Sequence, residues 1–284
     1  MNPEYVMKKK VNGWDIAFKV LKVLFIAIII ILLYLPVLFI VIESFNSSTI
    51  GYSFESFTVE WYQQMFTKKG FKDAVAVTFS ITVLSTIIST VFGTLFAIGI
   101  NSLSRKKKQT IISLNNIPIL NADIVSAIFL FIIFQTIGAI FGVEHPLGYP
   151  TLLISHIFFS LPYVVLSVLP KLREIDVNLF DAALDLGCKP SKALLKVIVP
   201  AIAGGIFSGA VLAFTMSIDD FTISYFVSGA DIENLSIWIN NIRTTRFGKL
   251  QIASAFYTIF TLITFIILVV YNIISTRRKA KMVK

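Results

Sequence analysis

Three carboxylates close to apolar segments are the residues of this sequence best suited to bind a solute. Asp123 lies about 13 residues into an apolar stretch that begins near Thr110, whereas Asp219 and Asp220 follow a different apolar stretch. At 1.5 Å per residue, Asp123 would lie roughly 20 Å along its helix, near the middle of a bilayer. A charged side chain at that depth costs roughly 3 kcal/mol or more, so it requires a compensating partner.

Aromatic side chains follow the paired carboxylates, namely Phe221, Tyr225, Phe226 and Trp238. Carboxylates set among aromatic rings recognise alkyl-ammonium groups through charge pairing and cation–π attraction. Because adjacent carboxylates repel each other, this pair also needs solvent or cations around it. Asp123, Asp219, Asp220, Phe221 and Tyr225 are therefore the candidate contacts for a cationic solute.

Simpler interpretations of these residues are open at this point. The side chain of Asp123 can be hydrogen-bonded to an Asn or Thr of a neighbouring helix, and Asp219–Asp220 can mark a solvated helix end. Any single aromatic ring can pack at the lipid interface. A polar run precedes Asp123 and consists of Asn115, Asn116, Pro118 and Asn121. Because proline frees a backbone carbonyl, this run favours a broken helix that lines a cavity.

The composition indicates that membrane helices hold these residues. Of 284 residues, 56% are hydrophobic and 14% are charged, whereas soluble domains contain roughly 25% charged residues. Six apolar segments are long enough to cross a bilayer, at about residues 23–42, 74–100, 110–143, 149–170, 197–218 and 251–276. We predict an all-α membrane protein in which residues 1–284 form a single transmembrane domain with six spans.

Several of these segments have distinguishing features. The third is too long for one simple helix, and the fourth contains His156 and Pro162. The fifth carries a small-residue packing face made of Gly204, Gly205, Ser208 and Gly209. We predict an external loop with a short interfacial helix at residues 44–73, and an external, partly re-entrant connection at residues 219–250.

Basic residues orient the predicted spans. With both termini in the cytoplasm, 19 of the 25 Lys and Arg residues fall in cytoplasmic segments, as the positive-inside rule expects. One of these segments is a tight basic turn at Arg105–Lys108. The excess of positive charge therefore reflects membrane orientation and predicts no nucleic-acid partner. The single cysteine, Cys188, excludes an internal disulfide and is expected to be a reduced cytoplasmic thiol.

A long polar and helical interruption on the cytoplasmic side is Asp181–Pro200, with the sequence DAALDLGCKPSKALLKVIVP. Asp176 can cap a helix with an apolar stripe. The stripe consists of Leu179, Phe180, Ala183 and Leu184. Gly187 suits the left-handed position that ends a helix, and Pro190 suits the first turn of the next. The small side chains of Ala182–Ala183 allow another protein to approach the backbone, so we predict a short amphipathic helix that contacts a cytoplasmic partner.

This segment resembles the signature loop of ABC-importer permeases, which reads Glu-Ala-Ala, three residues, Gly, nine residues, Ile-x-Leu-Pro. Here Asp181, Ala182 and Ala183 are followed at the same spacing by Gly187 and by Val197–Pro200. Asp replaces Glu, and Val replaces both Ile and Leu. The resemblance implies that this loop is a coupling helix that docks on a cytoplasmic ATPase through Asp181, Ala182, Ala183, Gly187 and Pro200.

Further runs are similar to the permease subunits of spermidine/putrescine ABC importers. They are SFNSS at 44–48, ADIVSAI at 122–128, SHIFFSLPYVV at 155–165, FDAALDLG at 180–187 and FTMSIDDFTISYFVSG at 214–229. The resemblance implies a type I importer permease fold in a bacterial plasma membrane. It also implies three partners, namely a second homologous permease, two copies of a cytoplasmic ABC ATPase and an external substrate-binding protein. By this resemblance Asp123 and Asp219, with Asp220, would contact the polyamine.

Other functions fit the sequence less well. The chain contains no GxxxxGK[ST] loop, so it is not itself the ATPase, and we predict no enzymatic activity, metal or cofactor. One alternative is an importer permease for another small solute, such as an iron complex, a sulfate-like oxyanion or thiamine, although an anion path would be expected to have basic residues within the spans. A secondary transporter driven by an ion gradient leaves the spacing of Asp181–Pro200 unexplained. A scaffold or sensor would be expected to carry a signalling domain.

Overall fold

A computed structural model of the chain describes residues 13–48, 53–176, 178–244 and 250–282. Helices dominate these residues, and the only β-type pairing among them is an isolated antiparallel bridge between Asn46 and Phe57. Among the basic residues used to orient the predicted spans, Lys8–Lys10, Arg246, Lys249 and Lys284 lie outside the described residues. The chain divides into two compact units, residues 1–68 with 242–284 and residues 69–241.

The helices are numbered in chain order. They are α1 (Gly13–Ser44), α2 (Glu60–Thr67), α3 (Phe71–Asn101), α4 (Arg105–Asn115), α5 (Ile117–Leu120), α6 (Asp123–Phe141), α7 (Tyr149–Glu174), α8 (Leu179–Asp185), α9 (Pro190–Ala193), α10 (Val199–Ala201), α11 (Ala203–Ile218), α12 (Thr222–Val227), α13 (Leu235–Thr244) and α14 (Leu250–Met282). A wider π-helical turn, Leu194–Ile198, joins α9 to α10.

The first unit contains α1, α2 and α14, and α14 packs against both of the others. The loop between α1 and α2 is organised by Asn46, whose Oδ1 accepts the backbone N–H groups of Ser48 and Glu55 at 3.1 and 3.2 Å. The indole N–H of Trp61 donates to the Asn46 carbonyl at 2.7 Å. The predicted short helix is α2, and the side chain of Trp61 on this helix is buried within the unit.

The core of the second unit is formed by α3, α7 and α11, which pack directly on one another. Glycines permit this approach, because a Cβ at Gly93 would lie 2.8 Å from Val164 Cβ and one at Gly209 would lie 3.1 Å from Val164 Cα. The predicted packing face is thus confirmed for Gly205 and Gly209. It is wrong for Gly204 and Ser208, which are exposed. These two residues precede the packed glycines by one position, which turns them about 100° around the helix.

The predicted all-α membrane class is confirmed. Four helical segments are long and apolar enough to cross a bilayer, namely Phe18–Ser44, Phe71–Asn101, Asp123–Phe141 and Tyr149–Glu174. The pair Pro190–Ala201 and Ala203–Ile218 makes a fifth if it crosses as one bent span. The sixth predicted segment coincides with α14, whose described apolar part is Gln251–Ile266. The count of six stays a prediction.

Three local expectations can be compared with the helices directly. The long third segment is broken, as predicted, because Ala122 is extended with φ −64° and ψ 138° before α6 begins. The predicted basic turn at Arg105–Lys108 is wrong, since these residues form the first turn of α4, in keeping with the good helix propensity of Lys and Arg. The fifth segment is not one straight helix either. It bends by 74° at Ile202.

Candidate functional site

A cavity of about 330 Å³ lies within the second unit. Its walls come from the start of α6, the middle of α7 and the connection between α11 and α12. Three of the predicted residues, Asp123, Asp219 and Asp220, line it together although they are almost 100 positions apart in sequence. The volume falls at the lower end of small-molecule pockets, which are about 300–1,000 Å³.

Asp123 is the first residue of α6 and follows the break in the third segment. Its carboxylate lies where the positive end of the helix dipole stabilises a negative charge. No described residue donates a hydrogen bond to this side chain, so the alternative of an Asn or Thr partner is not observed. The free carboxylate of Asp123 is therefore available to a solute in the cavity.

The two adjacent carboxylates have different environments. Asp219 is exposed and receives no side-chain hydrogen bond from another described residue. Asp220 is largely buried, and it accepts the backbone N–H groups of Ile223 and Ser224 at 3.3 and 2.8 Å and the Ser224 hydroxyl at 2.7 Å. These bonds satisfy N–H groups in the first turn of α12, whose cap position is the next residue, Phe221. The Asp220 carboxylate thus has donors within the protein, although it also lines the cavity, and its contact with a solute stays a prediction.

The predicted aromatic residues separate into one that lines the cavity and others that do not. Phe221 lines the cavity, and the ring of Tyr225 packs against it at a tilt, with ring centroids 5.5 Å apart, without reaching the lining. Phe226 packs on the hydrophobic core. Trp238 is buried against Phe71, and its indole N–H donates to the Lys69 carbonyl at 3.2 Å. Phe221 is thus the predicted ring that can contact a solute directly.

The second candidate site is the segment around α8. Gly187 has φ +82°, its N–H bonds to the Leu184 carbonyl, and the N–H of Cys188 bonds to the Ala183 carbonyl. This pattern is a Schellman motif, which strongly favours glycine at the left-handed position. The predicted helix end is therefore confirmed.

The start and surface of α8 differ in part from the prediction. Asp176 accepts the Asn178 N–H at 2.9 Å, but Asn178 itself occupies the cap position. Leu179 and Phe180 pack on the core of the second unit, as the apolar stripe predicts. Ala183 is 6% exposed, so Ala182 is the alanine of the pair that is open to a partner, and docking of an ATPase stays a prediction. The free surface of this segment comprises Asp181, Ala182, Asp185, Leu186 and Gly187.

Pro200 lies in α10, just after the π-helical turn and just before the bend at Ile202. Proline has no N–H to donate to the carbonyl one turn earlier, so the regular hydrogen-bond ladder cannot continue through it. The end of the predicted signature therefore coincides with a change of helix direction.

Comparisons with known proteins agree with this architecture. The family model for binding-protein-dependent transport system inner membrane components matches residues 89–282. The chain belongs to this family. It is a multi-pass membrane transport component and not an enzyme.

Related sequences and structures extend this result. The permease is 30% identical over 249 residues to the spermidine/putrescine transport system permease protein PotC of Escherichia coli strain K12. The aligned region covers 88% of this chain and 91% of PotC. It is 28% identical to the putrescine transport system permease protein PotI of the same strain, covering 73% and 74% of the two chains. In fold it is similar to a bacterial ABC transporter for alginate import, with a TM-score of 0.71, 14% identity and coverage of 97% and 99%. The predicted type I importer permease fold is confirmed.

Two aromatic residues of the cavity were not found from the sequence. Phe159 and Tyr163 line it from α7. They are four positions apart, and this spacing places side chains on one face of a helix. That periodicity was available in the sequence, but nothing local indicated that this face of α7 turns towards Asp123 and Asp219.

Proposed function

We propose that this permease forms half of a transmembrane path for polyamines such as spermidine and putrescine. The observation that carries the proposal is the convergence of Asp123 and Asp219, from two separate helix ends, on one cavity. Both carboxylates are free of hydrogen bonds from other described side chains. A flexible diamine presents positive charges at separated positions, so two unpartnered carboxylates in one cavity match its chemistry.

The rest of the cavity wall supports a cationic solute. Phe159, Tyr163 and Phe221 supply aromatic faces beside the carboxylates, and such rings attract ammonium groups. Among the described residues that line this cavity, none is basic. An anionic solute would meet carboxylates with no compensating charge, which disfavours an oxyanion as cargo. The similarity to the spermidine/putrescine permease PotC and to the putrescine permease PotI also supports a polyamine.

The proposal includes the partners of an ABC importer. Two copies of a cytoplasmic ATPase would supply energy, with one copy contacting the segment Asp181–Gly187. A second, homologous permease would complete the path, and an external binding protein would deliver the solute. Both termini would then lie in the cytoplasm of a bacterial cell. Asp220 and Tyr225 would act by supporting Asp219 and Phe221, and Pro200 by redirecting the chain beyond the coupling segment.

Uptake into proteoliposomes tests the proposed function. The permease is reconstituted with its partner permease, ATPase and binding protein, and labelled spermidine or putrescine is supplied with unlabelled amino acids as competitors. We expect ATP-dependent uptake that other polyamines inhibit and amino acids do not. Absence of polyamine uptake would refute the cargo, and uptake without ATP would indicate a secondary transporter.

Removing the two free carboxylates tests the site. We expect the double variant Asp123→Asn, Asp219→Asn to lower the uptake rate by at least about tenfold, because hydrogen bonds to charged groups contribute about 1.5–3 kcal/mol each. Asp73→Asn is the control, since Asp73 is an exposed carboxylate at the start of α3 outside the cavity. Assembly is checked by co-purification of the partner subunits. Wild-type uptake by the double variant would contradict the assignment.

A further inference from the structure

A line of buried polar side chains runs from the helix core to the wall of the cavity. At its centre is His156 of α7, which is 1% exposed. Its Nδ1 lies 2.7 Å from the hydroxyl of Ser217 on α11, and its Nε2 lies 3.0 Å from the hydroxyl of Ser224 on α12. Ser217 also lies 3.0 Å from the hydroxyl of Ser85 on α3. Four helices therefore meet in one hydrogen-bonded group.

The direction of these hydrogen bonds follows from counting hydrogens. Ser224 has one hydroxyl hydrogen, which it donates to Asp220 Oδ2 at 2.7 Å. Its oxygen must then accept both from Asn234 Nδ2, at 2.8 Å, and from His156 Nε2. The imidazole consequently carries a hydrogen on Nε2, and in the neutral ring Nδ1 accepts the hydroxyl of Ser217. The bonds thus run in one direction, from Ser217 through His156 to Asp220.

This direction matters for the cavity because the line ends beside a free carboxylate. Asp220 directly follows Asp219, and the carbonyl of Asp220 accepts Asn234 Nδ2 at 3.1 Å. Hydrogen bonds therefore hold both the carboxylate and the backbone carbonyl of Asp220, just before the start of α12. We propose that His156 is a positioning residue that sets the direction in which Asp219 faces the cavity. This inference rests on the proposed function for the solute and adds a role for a residue that does not itself line the cavity.

Two substitutions separate the contacts of the ring. The amide of His156→Gln reaches about the position of Nε2 and retains a donor towards Ser224. The shorter amide of His156→Asn reaches about the position of Nδ1 and retains only the contact with Ser217. Ser89→Ala is the control, because Ser89 is a buried α3 hydroxyl that bonds to the α7 backbone at Ile157, 3.4 Å away and outside the line.

The readout is chemical modification inside the cavity. Cys188 is the only cysteine of the chain, so Thr222→Cys in a Cys188→Ser background provides one thiol in the cavity wall. In the assembled transporter, we measure its rate of modification by methanethiosulfonate ethylammonium, and the spermidine concentration that halves this rate. We expect His156→Asn to raise that concentration roughly fivefold, the effect of losing one neutral hydrogen bond. His156→Gln should cause a clearly smaller change and Ser89→Ala none.

The outcomes are distinguishable from failure of the proposed function. If spermidine does not protect the thiol in the wild-type cavity, the polyamine proposal fails. The modification rates measured without spermidine then still test His156. These rates should change severalfold in His156→Asn and less in His156→Gln. If His156→Asn does not assemble, Ser217→Ala, which frees Nδ1 and keeps the ring, should show the same direction of change. Equal effects of the Asn and Gln variants, or an equal effect of Ser89→Ala, would overturn the positioning role.

Discussion

At the scale of single residues, chemically identical carboxylates perform different tasks because their surroundings differ. Asp220 accepts three hydrogen bonds from the first turn of α12, which makes it part of the scaffold. Asp123 and Asp219 line the same cavity without such partners. A carboxylate that is already satisfied by the protein gains little from a cationic solute, whereas an unsatisfied one gains a charge-assisted hydrogen bond.

This distinction predicts different stabilities for two neighbouring variants. Asp220→Ala should lower the free energy of unfolding of the second unit by about 1 kcal/mol or more, because it removes three hydrogen bonds to the first turn of α12. Asp219→Ala should leave the thermal midpoint of the purified permease unchanged. Thermal unfolding of both variants in the same detergent measures this difference. Equal midpoints for the two would contradict the structural role of the Asp220 hydrogen bonds.

At the scale of elements, α7 is the central helix of the second unit. Val164 of α7 lies between Gly93 of α3 and Gly209 of α11. Both glycines let a neighbouring helix approach more closely than any other residue would, because their missing Cβ leaves room for the side chain or backbone at Val164. The same helix carries His156, Phe159 and Tyr163. Packing of α7 therefore also determines the geometry of the cavity wall.

A matched pair of glycine variants tests this packing. Gly209→Ala should destabilise the permease by about 1–3 kcal/mol, the typical effect of overpacking a core, since the new Cβ would lie 3.1 Å from Val164 Cα. Gly204→Ala, in the same helix, is the control, because a Cβ at Gly204 would have no neighbouring atom to pack against within 4 Å. The measurement is the thermal midpoint of each variant. If Gly204→Ala lost stability and Gly209→Ala did not, close packing against α7 would not be the role of Gly209.

At the scale of the whole molecule, transport requires that force reaches the permease from another subunit. Helix α8 packs Leu179 and Phe180 on its own helical core and leaves Ala182 and Leu186 exposed, the latter 87%. Beyond it come the π-helical turn, Pro200 and the bend at Ile202. A helix fixed to its own bundle on one face can transmit a push on its other face, which suits rigid-body motion of packed helices.

Variants at two adjacent alanines distinguish an effect on docking of the ATPase from an effect on folding. Ala182→Leu enlarges an exposed side chain and should leave thermal stability unchanged while reducing uptake per ATP hydrolysed. Ala183→Leu enlarges a side chain that is 6% exposed, so it should lower stability by about 1–3 kcal/mol. Uptake and ATP hydrolysis are measured together in proteoliposomes. Unchanged coupling in Ala182→Leu would contradict the docking surface.

The sequence by itself determined the features that depend on local physics. Long charge-poor segments predicted membrane helices, because a bilayer admits backbone only when its hydrogen bonds are satisfied within the segment. Gly187 predicted a helix end and has the expected positive φ. The polar run before Asp123 predicted a broken helix, and the extended residue Ala122 produces it. In each case the physical cause lies within a few residues of the effect.

Only the tertiary structure decided which side chains meet. It left the Asp219 side chain without hydrogen-bond donors from other described side chains and tied the Asp220 side chain to the first turn of α12, although the two are adjacent and line the same cavity. It buried Ala183 and exposed Ala182, and it brought Phe159 and Tyr163 to the carboxylates. The direction of a side chain around a helix depends on contacts with residues distant in sequence. Hydropathy and backbone preference act over one or two turns and do not contain that information.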